Sequence, residues 1–475
     1  MADPFLVTHQ VGPSVFDIGG KLYPVSIRDQ MVRGQSIVDR AIQAGFGAMG
    51  ADLLVIGAGA AGATAAIEAA SRGITTHLID SAPLPFLRQA ACSTRWIHPH
   101  EYEWPLDHWP TPAYPYLGLP APYYGPVVPL PWSANWSDVL ALGWSLRLNR
   151  AVASYAPLLS LHYGCRLSAV TPPVFNPLKR QWTVTLDPPG SPTLTVGMIL
   201  IAVGFGAERV TAPPSFRSLA FWESDPYRSP NCGLALPPRV VISGGGDGSL
   251  QDFLRIITGL PSAEEIINYL IPIPIPAAVE AEILSAESRA QRAHLWGSSP
   301  DGDHDIHRTL HDAHLRTAAH ALTFPAIKAA LARLLPAKPP DLKLVHPCTH
   351  FSQCYGFNRF LVLLIDAYYQ SLKFPTLLIP CAGVATVTEI LPHNCLGPGM
   401  VLPDPRRCLG HPHTVAFNSS FHPGCVPARP APPGSQVADV VIIRHGVTGP
   451  APLLVPALTA IDRPRQSLPI HPSAS

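Results

Sequence analysis

The stretch Ala51–Asp80, ADLLVIGAGAAGATAAIEAASRGITTHLID, restricts the fold more than any other part of the chain. Leu53–Ile56 is a short apolar run of strand formers. It feeds Gly57-Ala-Gly59-Ala-Ala61-Gly62, an Ala-rich helical stretch to Ser71, and a second run, Ile74–Ile79, that ends in Asp80. Strand, glycine turn, helix and strand in this order make a dinucleotide-type unit. Gly57 permits the tight turn, Gly59 lets a pyrophosphate approach the backbone, and Gly62 lets the helix pack on the sheet. Ala61 lies in the first helical turn, where unpaired N–H groups and the positive end of the helix dipole face an anion. Asp80 stands 23 residues beyond Gly57, where a carboxylate reads a ribose diol.

Composition narrows the classes. Lys and Arg number 33 against 32 Asp and Glu, so the net charge of +1 points to neither nucleic acid nor an anionic membrane surface. A chain of 475 residues holds two or three domains. Its 56 prolines, more than twice the usual share, are scattered and suggest long ordered connections. Nine cysteines lie between Cys92 and Cys425 without a C-x-x-C pair, which favours reduced thiols. With no signal-like start and no membrane-length apolar run, the expectation is a soluble cytoplasmic protein.

Ser26–Ala44 in the lead-in has the mixed pattern of an amphipathic helix, either packed outside the core or holding a protein partner or second copy. Ser81–Trp136, dense in Pro, Trp, Tyr and His, follows neither strand nor helix period and reads as a long ordered excursion, where ligand contacts concentrate. Ser137–Tyr155 reads as a helix. Cys165–Val170, Trp182–Leu186 and Leu194–Val203 read as strands of a small antiparallel crossover. Met198–Glu208, MILIAVGFGAE, is an apolar strand ending in Ala202-Val-Gly204, whose small residues allow close approach. Arg239–Gly259 repeats the strand–turn–helix pattern with Gly244-Gly-Gly246-Asp-Gly248-Ser249. It offers a second pyrophosphate site for NAD(P), or a turn of purely structural use, because no ribose-reading strand follows some twenty residues on. Residues 277–335 read as an inserted helical region, Asn358–Gln370 as a helix, and Glu389–Gln436 as a proline-rich loop.

These residues resemble the flavoprotein oxidoreductases with two dinucleotide-binding domains, which include pyridine-nucleotide reductases and flavin-dependent monooxygenases. Gly57, Gly59, Gly62 and Asp80, the Ala202–Gly204 strand end and the Gly244–Ser249 turn carry the likeness. Ile199–Gly204 followed by Pro213 also looks like the corresponding strand of N-hydroxylating monooxygenases. The resemblance implies an α/β fold, a Rossmann-like FAD-binding domain with a second glycine-rich Rossmann-like region and a helical insertion. It implies non-covalent FAD, with NAD(P)H as a second nucleotide, the adenosine diphosphate on the first unit and the flavin toward the aromatic excursion. Cofactor contacts then fall on Gly57, Gly59, Ala61, Gly62, Asp80, Gly204, Gly244, Gly246 and Ser249. Without a C-x4-C or C-x-x-C pair, a disulfide reductase is disfavoured.

Flavin chemistry needs a cation and an acid or base beside the ring, and Arg95, His98 and His108 in the excursion are the candidates; packing of a proline-rich loop explains them as well. His346, Cys348, His350 and Cys354 lie within nine residues, open to zinc, a cofactor-facing thiol or imidazole, or plain packing. Asn358 and Arg359 are candidate anion contacts. His304, His307, His311 and His314 fit an exposed polar helix face better than a metal site, so no metal is expected. Arg444-His445-Gly446 matches the opening of histidine phosphatases but leaves no room for that fold.

The expected organisation is a lead-in with an amphipathic helix over 1–50 and an FAD-binding domain over 51–210. A second glycine-turn region with its helical insertion over 211–340 and a part returning to both domains over 341–475 follow. The expected function is hydride transfer between a small organic substrate or NAD(P)H and flavin, as a monooxygenase or oxidase. The rival is a sensor or interaction protein that holds FAD or NAD as a structural ligand.

Overall fold

The computed structural model describes residues 3–19, 26–45, 52–101, 103–105, 109, 111–115, 128–171, 181–188, 191–270, 275–292, 304–346, 351, 353–380, 384–389, 405–406, 409–417 and 434–447. The first sheet contains β1 (Gln10–Gly12), β2 (Val15–Asp17), β3 (Leu53–Ile56), β4 (Thr76–Asp80), β5 (Leu159–Tyr163) and β6 (Met198–Ile201), in the order β1-β2-β6-β3-β4-β5. All neighbours run parallel except the β1–β2 hairpin. Leu53–Ile56 and Met198–Ile201 are buried at every position, as central strands of a parallel sheet covered on both faces must be.

Helices α1 (Ile27–Gln43), α2 (Ala60–Ser71) and α3 (Ser137–Ser154) flank this sheet. Ser26 and Asp29 form a capping box that starts α1. Met31, Ile37, Val38 and Ala41 of α1 lie in the same core as the alanines of α2. The apolar face of the lead-in helix is therefore used within the chain, which corrects both the outside-the-core reading and the partner reading. Gln35 donates to Glu68 of α2 at 3.0 Å. Arg28 pairs with Glu103 at 2.8 Å and ties the excursion to α1.

The second sheet contains β7 (Val240–Ser243), β8 (Leu342–His346), β9 (Leu378–Pro380) and β10 (Val440–Ile443), in the order β9-β8-β7-β10, all parallel. Helices α4 (Asp247–Thr258), α5 (Ala263–Leu270), α6 (Ala277–Arg292), α7 (His304–Ala321), α8 (Pro325–Leu334) and α9 (Gly356–Ser371) accompany it. The strand missing at the usual spacing after Gly244 is β8: four described helices lie between α4 and it, yet it pairs with β7 in the slot that β4 fills beside β3.

Two antiparallel sheets complete the fold. Arg166–Thr171, Trp182–Asp187 and Leu194–Val196 form the expected crossover. The Leu194–Val203 run divides at Gly197, Leu194–Val196 joining the crossover and β6 the first sheet. Val384–Glu389, His413–Phe417 and Ser435–Ala438 form the other sheet, so the 389–436 segment read as loop contains a strand that pairs on both sides.

Candidate functional site

Both parallel sheets reverse their strand order beside the strand that precedes a glycine turn: at β3/β6 in the first, at β7/β10 in the second. Crevices at such reversals, outside the carboxyl ends of the strands, are where open α/β sheets bind ligands. The two reversals match atom for atom. Gly57 N–H donates to Ile79 O of β4 at 2.8 Å, and Gly244 N–H donates to Val345 O of β8 at 2.8 Å. Ala202 N–H donates to Ile56 O, and Arg444 N–H donates to Ser243 O, each at 2.8 Å. Gly57 has φ +107° and Gly244 φ +151°, and a Cβ would stand 2.4 Å from Ala202 O in one and 2.3 Å from Arg444 O in the other. Only glycine satisfies both demands.

Helices α2 and α4 begin at Gly59 and Gly246, and neither N-terminus has a side-chain cap. A Cβ on Gly59 or Gly246 would meet nothing within 4 Å. Both turns open on one cavity of about 1060 Å³, which is at the upper end of the range for small-molecule sites. Uncapped amides beside open space are what a pyrophosphate requires, so the residues present fit a dinucleotide on each turn.

Of the expected contacts, Gly57, Gly59, Ala61, Asp80, Gly204, Gly244 and Gly246 line this cavity. Gly62 and Ser249 lie behind the turns. A Cβ on Gly62 would fall 1.9 Å from Gly57 O, and Ser249 Oγ donates to Gly246 O at 2.6 Å. Asp80 has a further task beyond ribose reading: its Oδ2 accepts from Ala58 N–H at 2.6 Å and its Oδ1 from Ala82 N–H at 2.7 Å. It fixes the first turn as well as facing the cavity.

Arg95 lines the cavity but is held in a buried ionic cluster. It pairs with Asp252 at 2.6 Å and Asp225 at 2.7 Å, and lies over the Phe221 ring at 4.0 Å. Arg255 pairs with the same two aspartates at 3.2 and 3.0 Å, and Arg444 with Asp252 at 2.8 Å. Burial alone raises the Asp252 carboxyl, but the guanidiniums of Arg95, Arg444 and Arg255 outweigh it and hold it down at about 2. Asp252 on α4 thus joins the excursion of the first sheet to the loop after β10 of the second.

His98 is not in the cavity wall. It is buried, with Nε2 3.2 Å from Glu264 of α5, and burial foremost, with His100 next, pulls its pKa to about 3. His108 lies outside the described residues. Arg359 and Asn358 are also used internally: Arg359 pairs with Glu287 of α6 and donates to Cys354 O at 2.8 Å, while Asn358 donates to Asp247 at 2.8 Å. In the helical insertion, His307, His311 and His314 are buried, contrary to an exposed face. His314 bonds Glu287 at 2.7 Å and His311 accepts from Phe351 N–H at 3.2 Å, so they pin α7 to its neighbours. Among the described residues no group of three His, Cys, Asp or Glu is arranged to hold a metal. Residues 347–350 of the His346–Cys354 run lie outside the described residues; His346 packs on Phe351 at 4.5 Å and the Cys354 thiol, pushed up by burial, bonds Phe351 O.

Sequence reasoning missed four cavity residues: Glu101, Gln251, Arg444 and His445. Gln251 donates to Glu101 at 2.6 Å, and burial, reinforced by Asp247, pushes the Glu101 carboxyl up to about 8. Asp247, at the first position of α4, accepts from Tyr355 N–H and Asn358 at 2.8 Å each; burial raises it to about 6. His445 meets Ser243 Oγ at 2.7 Å, and burial lowers its pKa. Arg444 and His445 had a visible tripeptide signal but no way to be placed, because the pairing of β10 with β7 spans about 200 residues.

Residues 52–170 match the model of the family described as FAD dependent oxidoreductase. A comparison with curated proteins finds no match. Among solved structures, the chain is similar to the bacillithiol disulfide reductase of Staphylococcus aureus, at 16% identity and TM-score 0.28, covering 43% of this chain and 53% of that one. It is similar to T. acidophilum thioredoxin reductase at 12% identity and TM-score 0.32, covering 83% and 77%. It is also similar to the ornithine N-hydroxylase of Kutzneria sp. 744, at 12% identity and TM-score 0.33, covering 83% and 80%. These scores are too low to carry an argument, and the assignment stands on the family match with the paired turns. Residues 52–170 belong to the FAD dependent oxidoreductase family, and the chain is a flavoprotein of the kind built on two dinucleotide-binding units.

Proposed function

We propose that this protein reduces bound FAD with NAD(P)H and passes the electrons to a small organic substrate with O2, as a monooxygenase. The observation that carries this reading is the pair of uncapped helix N-termini, at Gly59 and Gly246, opening on one cavity. Bound FAD supplies hydride acceptance and its return, chemistry that no side chain has. The chain supplies the rest. The amides following Gly59 hold the FAD pyrophosphate while Asp80 fixes the turn, and those following Gly246 hold the nicotinamide dinucleotide. Asp252, gripping Arg95 and Arg444, keeps the two turns at a set separation. Phe86 beneath the first turn and Trp96 in the cavity wall exclude water from the interior. Glu101 holds a proton at neutral pH on the cavity wall.

One observation favours a second reading, an oxidase. Asp247 puts a carboxylate in the first turn of α4, where it opposes a phosphate. Anaerobic mixing of the purified yellow protein with NADPH separates the readings at the flavin band near about 450 nm. Bleaching by NADPH alone supports the monooxygenase. Bleaching only by an amine or amino acid supports the oxidase, and a flavin that nothing reduces supports a structural ligand.

A further inference from the structure

Helix α3 presents two apolar faces. Leu140, Trp144 and Leu148 point into the core of the first sheet, as the 3.6-residue period requires. Val139, Leu142 and Leu146 form a second stripe on the opposite side, exposed at 47%, 63% and 52%. The Leu87–Ala90 helix packs on α3, Ser137 Oγ donating to Gln89 O at 3.1 Å. It adds Leu84 and Leu87, exposed at 57% and 42%, and these two also line the cavity. Five large apolar side chains on adjoining elements at a cavity wall are more than scattered surface leucines, and such patches mark interaction sites.

The charges beside the stripe select the occupant. Arg147 and Arg150 are exposed on α3, and among the described residues neither is in an ion pair. Arg88, also exposed, stands beside Leu87 and donates to Gly206 O at 2.9 Å. Asp138 is the one acid on α3 and lies nine residues before Arg147. A second copy seated on the same stripe would bring the arginines of both copies to one seam without acids to meet them. An anionic bilayer meets both features at once, acyl chains taking the leucines and headgroups the arginines. We propose that this face docks the protein reversibly on anionic lipid, with the cavity wall at Leu84 and Leu87 turned to the membrane. The net charge of +1 hides the patch because it sums over the whole chain.

The test is co-sedimentation of the full, flavin-loaded chain with vesicles of phosphatidylcholine alone and of phosphatidylcholine with phosphatidylserine. The expected result is pelleting with the serine-containing vesicles only, weakened by added salt. Leu142→Glu with Leu146→Glu should abolish it. Arg147→Gln with Arg150→Gln should weaken it about fivefold per arginine. Flavin absorbance and circular dichroism report folding; should the glutamate pair misfold, the arginine pair decides. Three results overturn the proposal: no pelleting with phosphatidylserine, pelleting unchanged in both variants, or a dimer that the glutamate pair dissociates while vesicles stay unbound.

Discussion

Gly57 lies against Ala202 so closely that a Cβ on it would stand 2.4 Å from the Ala202 carbonyl oxygen, and its φ is +107°. The contact is between backbones of adjacent parallel strands, so no side-chain rearrangement relieves it. Gly57→Ala should therefore cost several kcal/mol, about 1–3 of it from the backbone conformation alone, and yield unstable or insoluble protein. Gly59→Ala should behave differently, because its Cβ enters only open cavity. We expect a melting profile near that of the parent with FAD lost, measured by circular dichroism and absorbance on the same samples.

Gly246→Ala makes the corresponding change on the second turn, again into open space. Flavin content should stay as in the parent, and the KM for NADPH in flavin reduction should rise by about tenfold or more, the loss of one charge-assisted contact. An unchanged KM would count against nucleotide binding on that turn.

Asp252→Asn would leave three buried guanidiniums facing Asp225 alone. Breaking a buried ion pair from one side costs about 3–5 kcal/mol, so a large drop in the denaturation midpoint is expected. The pH sign follows from the direction of the shift. With Asp252 held near 2 in the folded chain, its contribution is present above the unfolded value of about 3.9 and fades as pH falls through about 2. Acid titration of the parent against the variant should show a parent advantage that shrinks across that window.

Glu101 shifts the other way, up to about 8 through burial and Asp247. The folded chain favours its neutral form, so this stabilisation is complete below the unfolded value of about 4.3 and is lost as pH rises through about 8. Glu101→Gln, neutral at all pH, should flatten the decline in melting temperature across that interval.

His98, pulled to about 3 by burial and His100, stays neutral over the working range. His98→Gln should leave the pH profile of flavin reduction unchanged between about pH 5 and 9, where an unperturbed imidazole would titrate. A lost limb in that profile would return His98 to the list of proton carriers.

The first dinucleotide unit was legible because all of its constraints are local. Gly57, Gly62 and Asp80 lie within one strand–turn–helix–strand, and the chain spells their spacing directly. The insertion histidines were not legible: His307, His311 and His314 among acidic residues look like a solvated face, and only Glu287 on α6 and Phe351 beyond β8 show why they are buried. The lead-in helix was read correctly as amphipathic but placed wrongly, since periodicity tells which side is apolar and not what covers it.

The sequence by itself determined the two glycine turns, the apolar central strands, the helical insertion and the absence of a redox cysteine pair, because each is written in neighbouring residues. Tertiary structure alone decided that β8 fills the slot beside β7 across the whole insertion and that Arg444 stands to Gly244 as Ala202 stands to Gly57. It alone gathered Arg95, Asp225, Asp252, Arg255 and Arg444 into one buried cluster. Parallel pairing and ion pairing act between groups close in space whatever their separation along the chain, and no local pattern records those distances.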